Sequence, residues 1–243
     1  MRIDNYYLYF EENDNIKNKR ITGTTIADLM GINKWKTKGD CLLNMFGIIV
    51  EPFDEYYTKR GALAEKLALK SLEKRGHKCT IYNAQEIGWN NFPNNKNNLG
   101  GVIDIELIEE NTLYEIKSKS MKDYEEIFKN GNIVQEHQAI HYGLLRDYDK
   151  VHIMWIFFDE QTEYEIKNNL PITTFKNLKM FEKELIVDKY KLAPAYKEVI
   201  TLYNDCYNYR RIPLNLISDK YLKQLGFERP KSDLDLLIDD LPF

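Results

Sequence analysis

The sequence predicts an α/β domain: a small mixed central sheet flanked by helices, with extra helices toward the C-terminal end. Three observations carry this expectation. Residues 102–117 alternate apolar and polar side chains on either side of Glu109-Glu110-Asn111, the pattern of a β-hairpin. Val151 to Phe158 is a short apolar run that reads as a buried strand. Amphipathic segments of helical period precede the hairpin, separate it from the apolar strand, and follow that strand.

Taken in order, residues 1–20 are polar and aromatic and read as an extended arm. Thr25 to Met30 follows as a helix with a threonine N-cap. After the turn at residues 31–37, a second helix is expected from Lys38 to Met45. A third, Tyr57 to Arg75, sets Ala64, Leu67, Ala68 and Leu72 at helical spacing and stops at Gly76. Short strands are expected at Cys79–Tyr82 and at Glu86–Trp89, then an asparagine-rich loop at 90–98. Beyond the hairpin, Asn132 to Leu145 reads as a helix, Val151–Phe158 as a strand, and Glu163–Ile166 as its partner strand. Residues 173–212 read as two helices broken by Pro194, and a short helix from Asp219 ends near Gly226. The expected division is one main domain over 1–226 and an acidic tail over 227–243.

Composition restricts the function classes. The chain has 243 residues, 43% of them hydrophobic, enough for one elaborated domain with a real core. Cys41, Cys79 and Cys206 lie far apart without a CxxC pair, which argues against a disulfide framework or an iron–sulfur cluster and for a reducing cytoplasm. No apolar run approaches membrane-spanning length, so no membrane partner is expected. The net charge of −4 neither supports nor opposes nucleic-acid binding, because Asp233, Asp235, Asp239 and Asp240 near the end account for all of it.

Chemistry concentrates on the hairpin. Glu115 and Lys117 share one face of the second strand, and Asp104 on the first meets them if the register permits. Two carboxylates hold a hard divalent cation, and a lysine orients water or offsets charge developing on a phosphate. By itself the spacing also fits a solvated hairpin. The helix that follows carries Gln138 and Tyr142 at i, i+4, a pair that can touch water, phosphate or sugar and that equally fits the margin of an amphipathic helix. His137 and His141 are also i, i+4, but no third His or Cys nearby completes a transition-metal site.

Asp104 followed by Glu115-Ile116-Lys117 resembles the PD-(D/E)xK nuclease signature, with Ile103 in place of its proline, and the Q-x-x-x-Y helix resembles that of the RecB-like branch. Upstream, Arg60-Gly-Ala-Leu-Ala-Glu65 and the block Ile21–Thr37 are similar to viral recombinase nucleases of the lambda exonuclease / YqaJ type; Ile140 departs where that family often has a second glutamine. The resemblance implies a restriction-endonuclease-like core and a phage-type, Mg²⁺-dependent exonuclease (Mn²⁺ as substitute) that resects duplex DNA ends 5′ to 3′ for a single-strand annealing protein. It implies that Glu65, Asp104, Glu115 and the Ile116 carbonyl hold metal and that Lys117, Gln138 and Tyr142 act on water or phosphate. Thr24, Trp35, Arg60 and Lys119 would contact DNA, with Lys122 a further phosphate candidate. Some family members form ring-shaped homo-trimers.

The chain ends Asp239-Asp240-Leu241-Pro242-Phe243, which resembles the C-terminal tip of bacterial single-stranded DNA-binding proteins, a docking peptide for host repair proteins. A tail of that kind recruits those proteins or the annealing protein, or folds back on its own basic groove. Two other readings stay open. One is a RecB-like endonuclease with the same core. The other is a non-catalytic adaptor acting through its tail, disfavoured because a dead scaffold needs none of Asp104, Glu115 and Lys117.

Overall fold

The computed structural model describes residues 1–11, 20–52, 54–87, 98–172, 175 and 177–230. Along the chain these form β1 (Arg2–Ile3), β2 (Tyr7–Tyr9), α1 (Gly23–Leu29), α2 (Lys38–Met45), α3 (Glu55–Lys74), β3 (Thr80–Ile81), α4 (Ala84–Ile87), β4 (Ile105–Leu107), β5 (Thr112–Ser120), α5 (Tyr124–Asn130), α6 (Ile133–Arg146), β6 (Lys150–Phe158), α7 (Glu160–Lys167), β7 (Lys179–Ile186), α8 (Lys189–Tyr209), β8 (Arg211–Pro213) and α9 (Asp219–Gln224). Among these helices none is long and apolar enough to cross a membrane.

The central sheet has the order β3-β4-β5-β6-β7. Its β5–β6 pair is parallel and its other pairs antiparallel, so the sheet is mixed, as expected. The parallel pair needs a crossover, which α5 and α6 supply. Each face has its own core. Ala64, Ala68 and Leu72 of α3 pack on Tyr114, Ile116, Met154 and Ile156. Ala139 and Tyr142 of α6 pack on Leu113, Ile153, Trp155 and Phe157 across the sheet. Alternation along β5 and β6 therefore sends neighbouring residues to opposite cores. A third cluster joins α1, α2 and α8 to a small sheet of order β1-β2-β8.

The helix ends follow local chemistry. Asp54 caps α3 by accepting from the Tyr56 N–H at 2.9 Å, and Asn132 caps α6 by accepting from the Gln135 N–H at 3.1 Å. Thr22 caps α1, its N–H bonded to the Thr25 hydroxyl at 2.9 Å.

Four expectations are corrected. Residues 84–87 form a turn of helix where a strand was expected, because the Asn83 carbonyl accepts from the Glu86 and Ile87 N–H groups; Gly88 and Trp89 lie outside the described residues. Residues 163–166 belong to α7, which starts where Asp159 accepts from the Thr162 N–H at 2.8 Å and which buries Thr162 and Ile166 at i, i+4. The strand paired with β6 is β7, within the stretch expected to be helical. One continuous helix, α8, follows it, and Pro194 sits in its second turn. Lastly, residues 2–9 of the N-terminal arm form a hairpin closed by Asp4, whose carboxylate accepts from the N–H groups of Tyr6 and Tyr7 at 2.8 and 2.7 Å; residues 12–19 lie outside the described residues.

Candidate active site

Ile105 faces Tyr114 across the β4–β5 ladder, and one further step of that register sets Asp104 against Glu115. The Asp104 carboxylate accepts from the Ile116 N–H at 2.7 Å, which ties it to the adjacent strand just where β4 begins. Lys117 Nζ donates to Glu115 Oε1 at 2.6 Å. Glu115 is 1% exposed, and its second oxygen, Oε2, is buried with no hydrogen-bond partner. An orphaned carboxylate oxygen is costly in a protein interior and marks a place where a ligand belongs.

The electrostatics point the same way. Burial, then the neighbouring Asp104 charge, pushes Glu115 up to about 8 against the pull of Lys117. Burial raises Asp104 above the usual carboxylate range, opposed by Lys117 and the Ile116 N–H. Burial disfavours the Lys117 ammonium, but Glu115 and Asp104 together outweigh it and hold its pKa above the ordinary value. Glu65 of α3 stands at the rim of this group. Desolvation of its carboxyl, then Asp104, pushes it up to about 7. Three carboxyls that all resist ionisation around a single lysine form a site short of positive charge. Hard oxygen donors of this number suit Mg²⁺ or Mn²⁺. Among the described residues, however, no three Asp, Glu, His or Cys side chains are grouped closely enough to hold a metal ion. Glu65 and Asp104 also line a cleft of about 1130 Å³ that runs past Lys66, Tyr82 and Asn83.

On α6, Tyr142 is 4% exposed and lies within the fields of Glu115 and Asp104, with Gln138 hydrogen-bonded to it. Burial and those two carboxylates raise its phenol well above the ordinary value, so it stays protonated. Two glycines make room for this pair. A Cβ on Gly23 would come within 2.7 Å of both Gln138 and Tyr142, and one on Gly101 within 2.4 Å of the Tyr142 ring. Gly101 also sits at φ +140°, which side-chain-bearing residues avoid. Gly101→Ala is therefore expected to cost about 1–3 kcal/mol and to shift Tyr142. Thermal melting checks the first effect and quenching of tyrosine fluorescence the second.

His141 is a structural bolt. It is fully buried, donates from Nε2 to the Gly100 carbonyl at 3.0 Å, and accepts on Nδ1 from the Tyr196 hydroxyl at 3.1 Å. Burial lowers it to about 4, so it remains neutral. His137 bonds instead to the Ile133 carbonyl, and the two histidines do not converge.

The DNA-contact candidates separate into engaged and open groups. Arg60 Nη1 pairs with Glu163 Oε1 at 2.8 Å, while its other donors reach the Ser118 hydroxyl and carbonyl at 3.2 and 3.3 Å. Lys122 is exposed and paired with Glu160 at 3.0 Å. Lys119 has no hydrogen bond or ion pair among the described residues, and burial lowers its pKa. Thr24 is exposed, and the Trp35 side chain, 96% exposed, stands beside a groove between residues 32–35 and 131–135. Sequence reasoning missed Glu163, which clamps Arg60, Tyr56 and Ser120 (the last at 3.0 Å) and so joins α3 and β5 to α7. Its misassignment to a strand hid it. The partner-docking candidates Asp239 to Phe243 lie outside the described residues.

A mixed sheet with acidic and basic side chains at the head of a β-hairpin, flanked by α3 and α6, is a fold that other proteins share. The alkaline exonuclease of Laribacter hongkongensis superposes with a TM-score of 0.56 at 14% identity, over 86% of this chain and 93% of that one. Its complex with dAMP superposes similarly, with a TM-score of 0.57. A phage-related exonuclease from Haemophilus somnus 129PT gives a TM-score of 0.54 at 16% identity, over 79% of this chain and 95% of that one. An uncharacterized protein of Mycoplasma pneumoniae is 30% identical over 92 residues, a match that spans 37% of this chain and 32% of that protein. Residues 13–141, more than half the chain, match the YqaJ-like viral recombinase domain, and the chain belongs to that family.

Proposed function

We propose that the protein is a divalent-metal-dependent DNA exonuclease of the phage recombination type. The observation that carries this is the buried Asp104–Glu115–Lys117 group with its orphaned Glu115 Oε2, in a chain of the YqaJ-like viral recombinase family. The similar folds of two exonucleases, one also seen with dAMP, support DNA as the substrate.

Asp104, Glu115 and Glu65, with the Ile116 carbonyl, are the groups to hold Mg²⁺, and Mn²⁺ would fit the same donors. A cation held there supplies Lewis-acid polarisation of the phosphate and a stronger water nucleophile. Lys117 orients the attacking water and offsets charge on the phosphate in the transition state. Gln138 and the protonated Tyr142 position the water or the scissile phosphate from the α6 side. Thr24, Trp35 and Lys119 would meet DNA. Arg60 serves to hold β5 against α3, because its guanidinium is already engaged by Glu163 and Ser118.

In this reading duplex ends are resected 5′ to 3′, leaving a 3′ overhang for an annealing partner. Titration of Mn²⁺ into the protein tests the metal part: Asp104→Asn should weaken binding by at least about 10-fold, and unchanged binding would remove this group as the metal site. Asp239 to Phe243 would dock a host repair protein or the annealing partner. Deleting these five residues should abolish pull-down of that partner while duplex hydrolysis continues at the wild-type rate.

A further inference from the structure

The small sheet β1-β2-β8 has two unlike faces. Inward, Ile3, Leu8 and Ile212 join the third core cluster. Outward, the same strands present Arg2, Tyr7, Tyr9 and Arg211, since side chains alternate across a strand. These groups stand in a continuous row. The Arg2 guanidinium lies 4.1 Å from the Tyr9 ring centroid, Tyr9 lies 6.2 Å from Tyr7, Arg211 lies 4.2 Å from Tyr7, and Tyr209 lies 5.2 Å from Arg211.

The charge of this row is unbalanced. Arg2 and Arg211 have no ion pair or hydrogen bond to another side chain among the described residues. The carboxylate at this face, Asp4, accepts from the Tyr9 hydroxyl at 2.8 Å and from two backbone N–H groups, and its charge offsets part of that of Arg2, so the row keeps a net positive charge from its two arginines. Arg2 is exposed and Tyr209 is 64% exposed, while Tyr7, Tyr9 and Arg211 between them are half-buried, so solvent reaches the row. Cation–π contacts hold the guanidinium groups against the rings but leave their charge for an anion.

We infer that the outer face of the β1-β2-β8 sheet binds single-stranded DNA. Aromatic rings and guanidinium planes in alternation stack on unpaired bases of any sequence, while the arginines meet the phosphates between them. A duplex keeps its base faces stacked inside and offers them no such contact. This deepens the nuclease reading, in which resection leaves one strand unpaired close to the enzyme. The family match spans residues 13–141, so all three strands lie outside it.

The test is fluorescence anisotropy of the full-length protein in EDTA with a labelled oligothymidylate of about 16 nucleotides. Hydrolysis is silent there, so this result and that of the nuclease assay fail independently. The Arg2→Gln/Arg211→Gln double variant should bind roughly 10-fold more weakly at low salt. Its slope of log affinity against log salt should flatten by about 1.4, the value for two phosphate contacts on a single strand. Tyr7→Leu, which keeps the apolar bulk, should weaken binding without changing the slope. Wild-type affinity and slope in both variants would overturn the inference. So would binding of an oligoaspartate peptide with the oligonucleotide left unbound. Photo-crosslinking of a 5-iodouracil oligonucleotide to the unaltered protein gives a second measurement, independent of variant folding. Adducts are expected on peptides containing Tyr7, Tyr9 or Tyr209, and adducts confined to residues 104–142 would contradict it.

Discussion

Lys117→Ala should slow hydrolysis of duplex DNA by about 10²–10³-fold in kcat, the loss that follows removal of one preorganised donor aimed at developing charge. The lysine is well placed for that role. Its ammonium is held against Glu115 at 2.6 Å, with a side chain only 20% exposed, so it meets a phosphate without first being ordered. The fold should survive the change. Glu115 already resists ionisation, pushed up to about 8, so without its lysine it takes up a proton instead of remaining as a bare buried charge. A circular dichroism spectrum matching the wild type, with kcat reduced and KM for DNA changed little, is the expected pattern. A large rise in KM with kcat intact would instead place Lys117 in ground-state binding.

Glu106→Ala should be strongly destabilising, by about 3–5 kcal/mol, because it removes the buried carboxylate on which Arg146, Tyr148 and Tyr82 converge. Glu106 is fully buried on β4 and accepts from Arg146 Nε and Nη2, from the Tyr148 hydroxyl at 2.7 Å, and from the Tyr82 hydroxyl. It therefore pins the far end of α6 to the strand that delivers Asp104. At about 2–4 °C per kcal/mol for a chain of this size, the melting temperature should fall by about 6–20 °C. Calorimetry checks it, and a fall within a degree or two would mean that the cluster is replaceable. Glu106→Gln should fall between wild type and alanine, since the amide keeps the hydrogen-bond geometry and loses the charge.

The hairpin and α6 were legible in the sequence because their periodicity is local: strand alternation put Glu115 and Lys117 on one face, and helical spacing paired Gln138 with Tyr142. The mixed sheet followed from the same patterns. β7 was not legible, since Lys179-Met-Phe-Glu-Lys-Glu-Leu-Ile186 is rich in Lys and Glu and reads as helix. It is an edge strand, where charged residues are the rule. The glutamate-rich start of α7 concealed Glu163, whose bond to Arg60 spans 103 residues of sequence. No local pattern announces such a contact. Glu106 was hidden similarly, a carboxylate that looks like surface charge until Tyr82, Arg146 and Tyr148 fold around it. The small β1-β2-β8 sheet joins the two ends of the described chain and has no signature in either segment alone.

The most direct test of the central claim is a nuclease assay on linear duplex DNA labelled separately at each 5′ and 3′ end. The wild type should be compared with Lys117→Ala, in Mg²⁺ and in EDTA. The expected result is stepwise loss of the 5′-labelled strand by the wild type in Mg²⁺ alone, with EDTA and the variant both leaving the duplex intact. Hydrolysis that persists in EDTA or in the variant, or no hydrolysis by the wild type with either Mg²⁺ or Mn²⁺, would contradict it.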